Sequence, residues 1–209
     1  MDRGDYYEKM RALAAEVRLQ YAIRTDSLGL REILAIYRDQ GIQLDRWKPK
    51  LRKVRAAYFV VENESSVLLN ATIVPTPPKI FALAHELKHH LVDRDAAQLR
   101  PLGCQTDFAS KDPIEIGAEI FAAELIFPQE DFRTWLNELE ISGHCTQADV
   151  VRVKRACPAK VSYQFIVKRL EWLGNIERGE YARTQWVKLE ESIYGQPFYK
   201  SLHGRRRAR

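Results

Sequence analysis

The sequence predicts an α+β fold in which helices flank a small, mixed or mainly antiparallel sheet, followed by a short helical module. Three observations predict it. Apolar residues recur at helical spacing towards both ends of the chain, and three segments between residues 42 and 74 are short and rich in β-branched and aromatic residues. Of the 209 residues, 45% are apolar and 10% aromatic, enough to bury a sizeable core.

Residues 4–23 carry Tyr7, Met10, Leu13, Ala14, Val17 and Tyr21 at helical spacing on a charged background. A second helix is predicted to start at Asp26 or Ser27, either of which can cap it, and to end at Gly41. Its apolar stripe is Leu30, Ile33, Leu34 and Tyr37. The period then changes. Residues 42–47 (IQLDRW), 56–62 (AAYFVVE) and 66–74 (SVLLNATIV) read as strands of a small antiparallel sheet, with a polar break at Asn63–Ser66. The basic run Arg46, Lys48, Lys50, Arg52, Lys53 and Arg55 reads as charge guarding an edge strand, in preference to a nucleic-acid groove. Residues 75–78 (PTPP) end the sheet and launch a helix through Val92. Asp112-Pro113 starts the next helix, which runs to Pro128, where another begins. Thr146 and Ser162 cap helices over 146–156 and 162–173, Gly174 ends the second of these, and a last helix is expected near 180–193.

Lysines and arginines number 33 against 28 acids, a net charge of +5. Five of these positives, Lys200, Arg205, Arg206, Arg207 and Arg209, lie in the last ten residues with no acid among them. The remainder of the chain is therefore electrically balanced. The tail reads as a solvated, disordered end able to make only weak nucleic-acid contact. No apolar run approaches the ~20 residues that span a bilayer. The opening MDRGDYYEKM lacks the basic start and apolar middle of a signal peptide. Cys104, Cys145 and Cys157 are odd in number and widely spaced, which argues against a disulfide framework and for the reduced cytoplasm. Trp47, Trp135, Trp172 and Trp186 are assigned to the core, and Cys145, Cys157 and His144 fit no common zinc module.

The sharpest chemical signal is His85-Glu86-Leu87-Lys88-His89 inside a predicted helix. Four residues make just over one helical turn, so both imidazoles leave the same face and can grip one ion. Zinc accepts imidazole nitrogen readily, and Glu86 beside the first ligand can act as general base towards a metal-bound water. A catalytic zinc normally takes a third protein ligand. Asp93 continues the series but lies about 12 Å along the axis from His85. Asp95 would need glycine at the turn, where Val92 stands. The helix after Asp112 offers Glu115, Glu119 and Glu124. Glu115, early in that helix, is the third-ligand candidate, and Glu119, one turn on, is placed to hydrogen-bond a histidine. Both share a face with Ala118 and Ala122, small residues that admit a neighbouring helix, whereas Glu124 is expected to face solvent. Taken alone, Glu115 reads more simply as completing a capping box behind Asp112.

FALAHELKHHLV followed by EIGAEIFAAELIFP resembles the ImmA/IrrE family of zinc metallopeptidases. That family shows an AHELGH-type helix and then an E-x-x-A-N-x-F-A-A-x-L-L-M-P segment, matched here from Glu115 to Pro128. The resemblance, covering most of residues 25–175, implies a zincin-like core with His85, His89 and Glu115 holding Zn2+ and Glu86 as catalytic base. The chain is expected to divide into a zincin-like catalytic domain over 1–140, a helix-turn-helix-like module over 141–176, and a C-terminal helix with the basic tail over 177–209. Three positions depart from the family pattern: Lys88 for glycine, Glu119 for asparagine or aspartate, and Phe127 for methionine. If Lys88 faces the cleft, it is expected to alter substrate choice or weaken metal binding.

The helical module offers Arg152, Lys154, Arg155, Lys160 and Lys168 as phosphate contacts. Its second helix carries mainly aromatic and apolar side chains, which favours a supporting pack over a DNA reader. The function implied by the resemblance is zinc-dependent endopeptidase activity on a protein substrate, a helix-turn-helix repressor whose cleavage relieves repression in stress response or a mobile element. Two rivals stand beside it: a toxin–antitoxin component with the same zinc site, and a DNA- or repressor-binding regulator whose zinc is structural. An intact Glu86 favours hydrolysis, because a structural site needs no base. The residue steadying the oxyanion is left open, with His90 one candidate.

Overall fold

A computed structural model describes residues 2–24, 28–48, 54–73, 76–99, 101–102 and 112–196. The described residues form nine helices and three strands in the order α1 (Arg3–Gln20), α2 (Leu30–Asp39), β1 (Gln43–Trp47), β2 (Ala56–Val61), β3 (Glu64–Asn70), α3 (Thr76–Val92), α4 (Arg94–Leu99), α5 (Pro113–Ile126), α6 (Gln129–Glu138), α7 (Gln147–Ala156), α8 (Tyr163–Leu173) and α9 (Trp186–Tyr194). The α+β class is as the sequence predicts. No helix among the described residues is long and apolar enough to cross a membrane. The basic tail and Cys104 lie outside the described residues, as do Lys50, Arg52 and Lys53.

The chain divides into two compact units, residues 1–132 with 158–161, and residues 133–157 with 162–209. In the first unit, α3 is the central element and contacts α2, β2, β3 and α5, while α1 packs on α5. Its opening Thr76-Pro77-Pro78 suits a first helical turn, where a missing N–H leaves no bond unmade. From Ala82 to His89 every residue is buried, so this helix is covered on all sides. Tyr37 of α2 donates its hydroxyl to the Leu83 carbonyl at 2.7 Å. The helix α5 is nearly as enclosed, and small residues make that enclosure close: an added Cβ at Gly117 would lie 2.6 Å from the Tyr6 ring.

The sheet is mixed, as the fold-class reading allows. Its order is β1-β3-β2, with β2 antiparallel to β3 but β1 parallel to it, pairing Leu44 with Val67. Glu62 and Asn63, both at positive φ, make a two-residue hairpin turn, so β3 begins at Glu64 instead of Ser66. It also stops early. The Asn70 side chain accepts from the backbone N–H and the hydroxyl of Thr72 and donates to the Val54 carbonyl, a turn that follows the last strand residue. β1 is an edge strand, and Arg46 within it agrees with the guarding role.

Two further expectations change. α2 begins at Leu30 with Gly29 as its cap, whose N–H donates to Glu32 at 2.9 Å; the expected caps Asp26 and Ser27 lie outside the described residues. None of the four tryptophans is buried, and Trp172 is 43% exposed. The core of the first unit is instead aliphatic with Phe121, Phe127, Phe132, Tyr37 and Tyr58.

In the second unit, α7 and α8 carry side-chain caps from Thr146 and Ser162, and Gly174 ends α8 in the left-handed conformation, as expected. Tyr163 stacks on Trp186 of α9 at 5.3 Å, and its hydroxyl donates to Glu190.

The Gly117–Tyr6 approach yields the first prediction. Gly117→Ala should destabilise the protein by about 1–3 kcal/mol, the usual cost of overpacking. The loss should shrink in a Tyr6→Ala background, measured by denaturant unfolding of both variants.

Candidate metal centre

The residues that the sequence singles out meet in one place. His85 and His89 leave the same side of α3 with ring centroids 4.9 Å apart. Glu115, in the first turn of α5, brings Oε2 to 3.0 Å from His85 Nε2 and Oε1 to 3.7 Å from His89 Nε2. One ligand atom from each of the three lies within 4.8 Å of the others. Glu115 is therefore turned towards the histidines, while Asp112 alone caps α5 by accepting from the Ile114 N–H.

The surroundings are dry. His89 is fully buried, His85 nearly so, and Glu115 alone of the three keeps part of its side chain exposed. Burial holds His85 down to a pKa of about 4, so it is neutral, with Nε2 hydrogen-bonded to the Glu115 carboxylate; a metal bound there would take the place of that proton. Burial also opposes charge on His89, but its hydrogen bond to Asp93 and the nearby Glu115 and Glu86 carboxylates outweigh this, and its pKa rises to about 9. The Glu115 carboxyl, although disfavoured by burial, is held well below the usual range by the two histidines.

These residues fit a metal ion. His89 Nε2 is buried and makes no hydrogen bond, yet it points at a carboxylate 3.7 Å away. A buried imidazole nitrogen without a partner is costly, and an ion shared with His85 and Glu115 would satisfy it. The opposite nitrogen is already fixed, since His89 Nδ1 lies 2.7 Å from Asp93 Oδ2. That bond holds the Nδ1 proton in place, so the proton that a metal would displace is the one on Nε2. Glu86 is fully buried on the same helix, and its charge contributes to the raised pKa of His89.

Four further side chains have defined places, one of them contrary to expectation. Asp93, set aside as a ligand for its distance along the helix, lies 2.7 Å from His89 Nδ1 and so has the role expected of Glu119, an acid hydrogen-bonded to a histidine. Its signal was the same i, i+4 spacing that had suggested it as a ligand. Lys88 does not face a cleft: it is fully buried, 2.5 Å from Asp93 Oδ2, and burial lowers its pKa against the pull of Asp93. Glu124 does not face solvent; it is buried and accepts the Gln129 N–H at 2.9 Å, at the start of α6. His90 belongs to a separate network on the sheet, with Nδ1 3.1 Å from Ser65 Oγ and 3.3 Å from the Tyr58 hydroxyl.

Nothing similar arises elsewhere among the described residues, where His85, His89 and Glu115 are the one group of metal-ligating side chains so placed. Cys145 is a buried free thiol, and His144 pairs with Glu180 at 3.1 Å. Four of the five candidate phosphate contacts are engaged within the second unit, while the fifth, Lys160, belongs to the first and is exposed. Arg152 donates to the Leu139 carbonyl, Arg155 pairs with Glu190, Lys168 pairs with Glu171, and Lys154 lies over the Tyr163 ring. Such internal use favours the supporting pack over a phosphate-binding face.

Residues 38–171 match the peptidase M78 family, described as the IrrE N-terminal-like domain. The match covers well over half of the chain and takes in both α3 and α5. No curated protein matches the chain.

The buried pair generates a prediction independent of any metal. Asp93→Ala leaves the Lys88 ammonium buried without its counter-charge, and breaking a buried pair on one side costs about 3–5 kcal/mol. Denaturant unfolding of the metal-free protein should show a loss of that size.

Proposed function

The chain belongs to the peptidase M78 (IrrE N-terminal-like) family, and from that premise we propose that it is a zinc-dependent endopeptidase. The observation that supports this most is the convergence of buried His85 and His89 on Glu115, with Glu86 buried on the same helix. Two imidazoles and one carboxylate form a donor set suited to zinc and leave a further coordination position for water or substrate. A zinc ion held there would supply Lewis acidity, acidifying a water and polarising a peptide carbonyl.

The chain's own residues do the rest. Glu86 accepts the proton of the attacking water on a carboxylate oxygen and returns it to the leaving amine. Asp93 keeps His89 in one tautomer and one orientation. Burial of His85 and His89 excludes water that would compete for their nitrogens. The proposed substrate is a protein, a helix-turn-helix repressor whose cleavage would release transcription; the resemblance in the sequence supports this choice.

Two predictions test the reading. Purified protein should carry about one zinc per chain, and His85→Ala should lose it; elemental analysis decides, and full zinc in that variant sinks the site. Glu86→Gln should keep its zinc, because Glu86 is not a ligand, while losing roughly 100- to 10,000-fold in cleavage rate. Co-expression with repressors encoded beside the gene, comparing wild type with Glu86→Gln, identifies the substrate. Undiminished cleavage by Glu86→Gln would contradict the assigned base.

A further inference from the structure

Lys88 is fully buried, yet neither the metal ligands nor the general base accounts for it. Its ammonium spans two elements. It lies 2.5 Å from Asp93 Oδ2, just past the end of α3, and donates to the Ile114 carbonyl in the first turn of α5 at 3.0 Å. The same Asp93 oxygen is 2.7 Å from His89 Nδ1, and Ile114 directly precedes Glu115. The Tyr6 ring of α1 lies over the ammonium, 5.4 Å from Nζ to its centroid. One cation therefore touches the supports of two ligand candidates on different helices. An apolar side chain of similar length would fill the space without burying a charge. What the ammonium adds is simultaneous donation to both groups.

The geometry points to Lys88 as a positioning residue of the metal centre, whose ammonium fixes the placement of Glu115 relative to His89 by joining Asp93 to the Ile114 carbonyl. This rests on the reading of His85, His89 and Glu115 as metal ligands. Asp93 orients His89, Ile114 carries the turn that holds Glu115, and Lys88 keeps the two in register. Loss of a group that supports a metal ligand typically lowers metal affinity by about 10- to 100-fold.

The test is titration of the full-length, metal-free chain with zinc and with cobalt(II), recording affinity and the visible spectrum of the cobalt-saturated protein. Lys88→Met should bind both metals about 10- to 100-fold more weakly than wild type and give a changed cobalt spectrum. The double variant Lys88→Met/Asp93→Asn buries no lone charge and carries the same test if the single variant fails to fold. Its asparagine oxygen can still accept from His89, whereas Ile114 has lost its donor, so weaker binding and a changed spectrum are expected again. Wild-type affinity and spectrum in Lys88→Met, or in the double variant should the single one fail to fold, would overturn the inference and leave Lys88 as a charge balance for Asp93. A wild-type chain that takes up neither metal would overturn the metal-site reading itself, and this inference with it.

Discussion

Four polar side chains buried on one helix, His85, Glu86, Lys88 and His89, impose the constraint on which the rest of this structure depends. Each costs free energy in a dry interior unless it meets a partner of matching charge or geometry. Glu115 answers the histidines from α5, and Asp93 answers both His89 and Lys88. For Glu115 to come within 3.0 Å of His85, α5 must pack closely on α3. The small residues Gly117, Ala118, Ala122 and Ala123 make α5 narrow enough for close neighbours, and Tyr6 of α1 lies directly against Gly117. What remains after this pairing is a buried His89 nitrogen aimed at a carboxylate, an arrangement compatible with a bound metal ion.

Much of this was legible in the sequence because it depends on local geometry. The spacing of His85 and His89 is a property of any α-helix, and the position of Glu115 behind Asp112-Pro113 follows from capping chemistry. The strands, too, could be placed within a few residues from their β-branched content. Long-range pairing was not legible. Nothing local says that β1 lies parallel to β3, or that Lys88 reaches the carbonyl of Ile114. The burial of Glu124 has the same origin, since its carboxylate serves the N–H of a residue in the following helix. Spacing identified Asp93 as a neighbour of His89 but not its role, because i, i+4 serves a hydrogen bond as well as a shared ion.

The second unit follows a different logic. Its caps were readable from Thr146, Ser162 and Gly174, but its aromatic residues do not make a deep core. Trp186 stacks flat on Tyr163, Tyr181 meets Trp186 edge-on, and α9 has no buried residue. Arg152, Arg155, Lys168 and Lys154 of this unit are occupied by a local carbonyl, local carboxylates and a ring.

The central claim is that two imidazoles and one carboxylate hold a single metal ion. X-ray absorption at the zinc edge of the purified full-length chain tests it most directly, because the scattering pattern distinguishes imidazole, oxygen and sulfur neighbours without reference to activity. The account predicts two imidazoles with otherwise oxygen ligands, and loss of one oxygen contribution in Glu115→Ala. Sulfur in the coordination shell, or an unchanged spectrum in that variant, would contradict it.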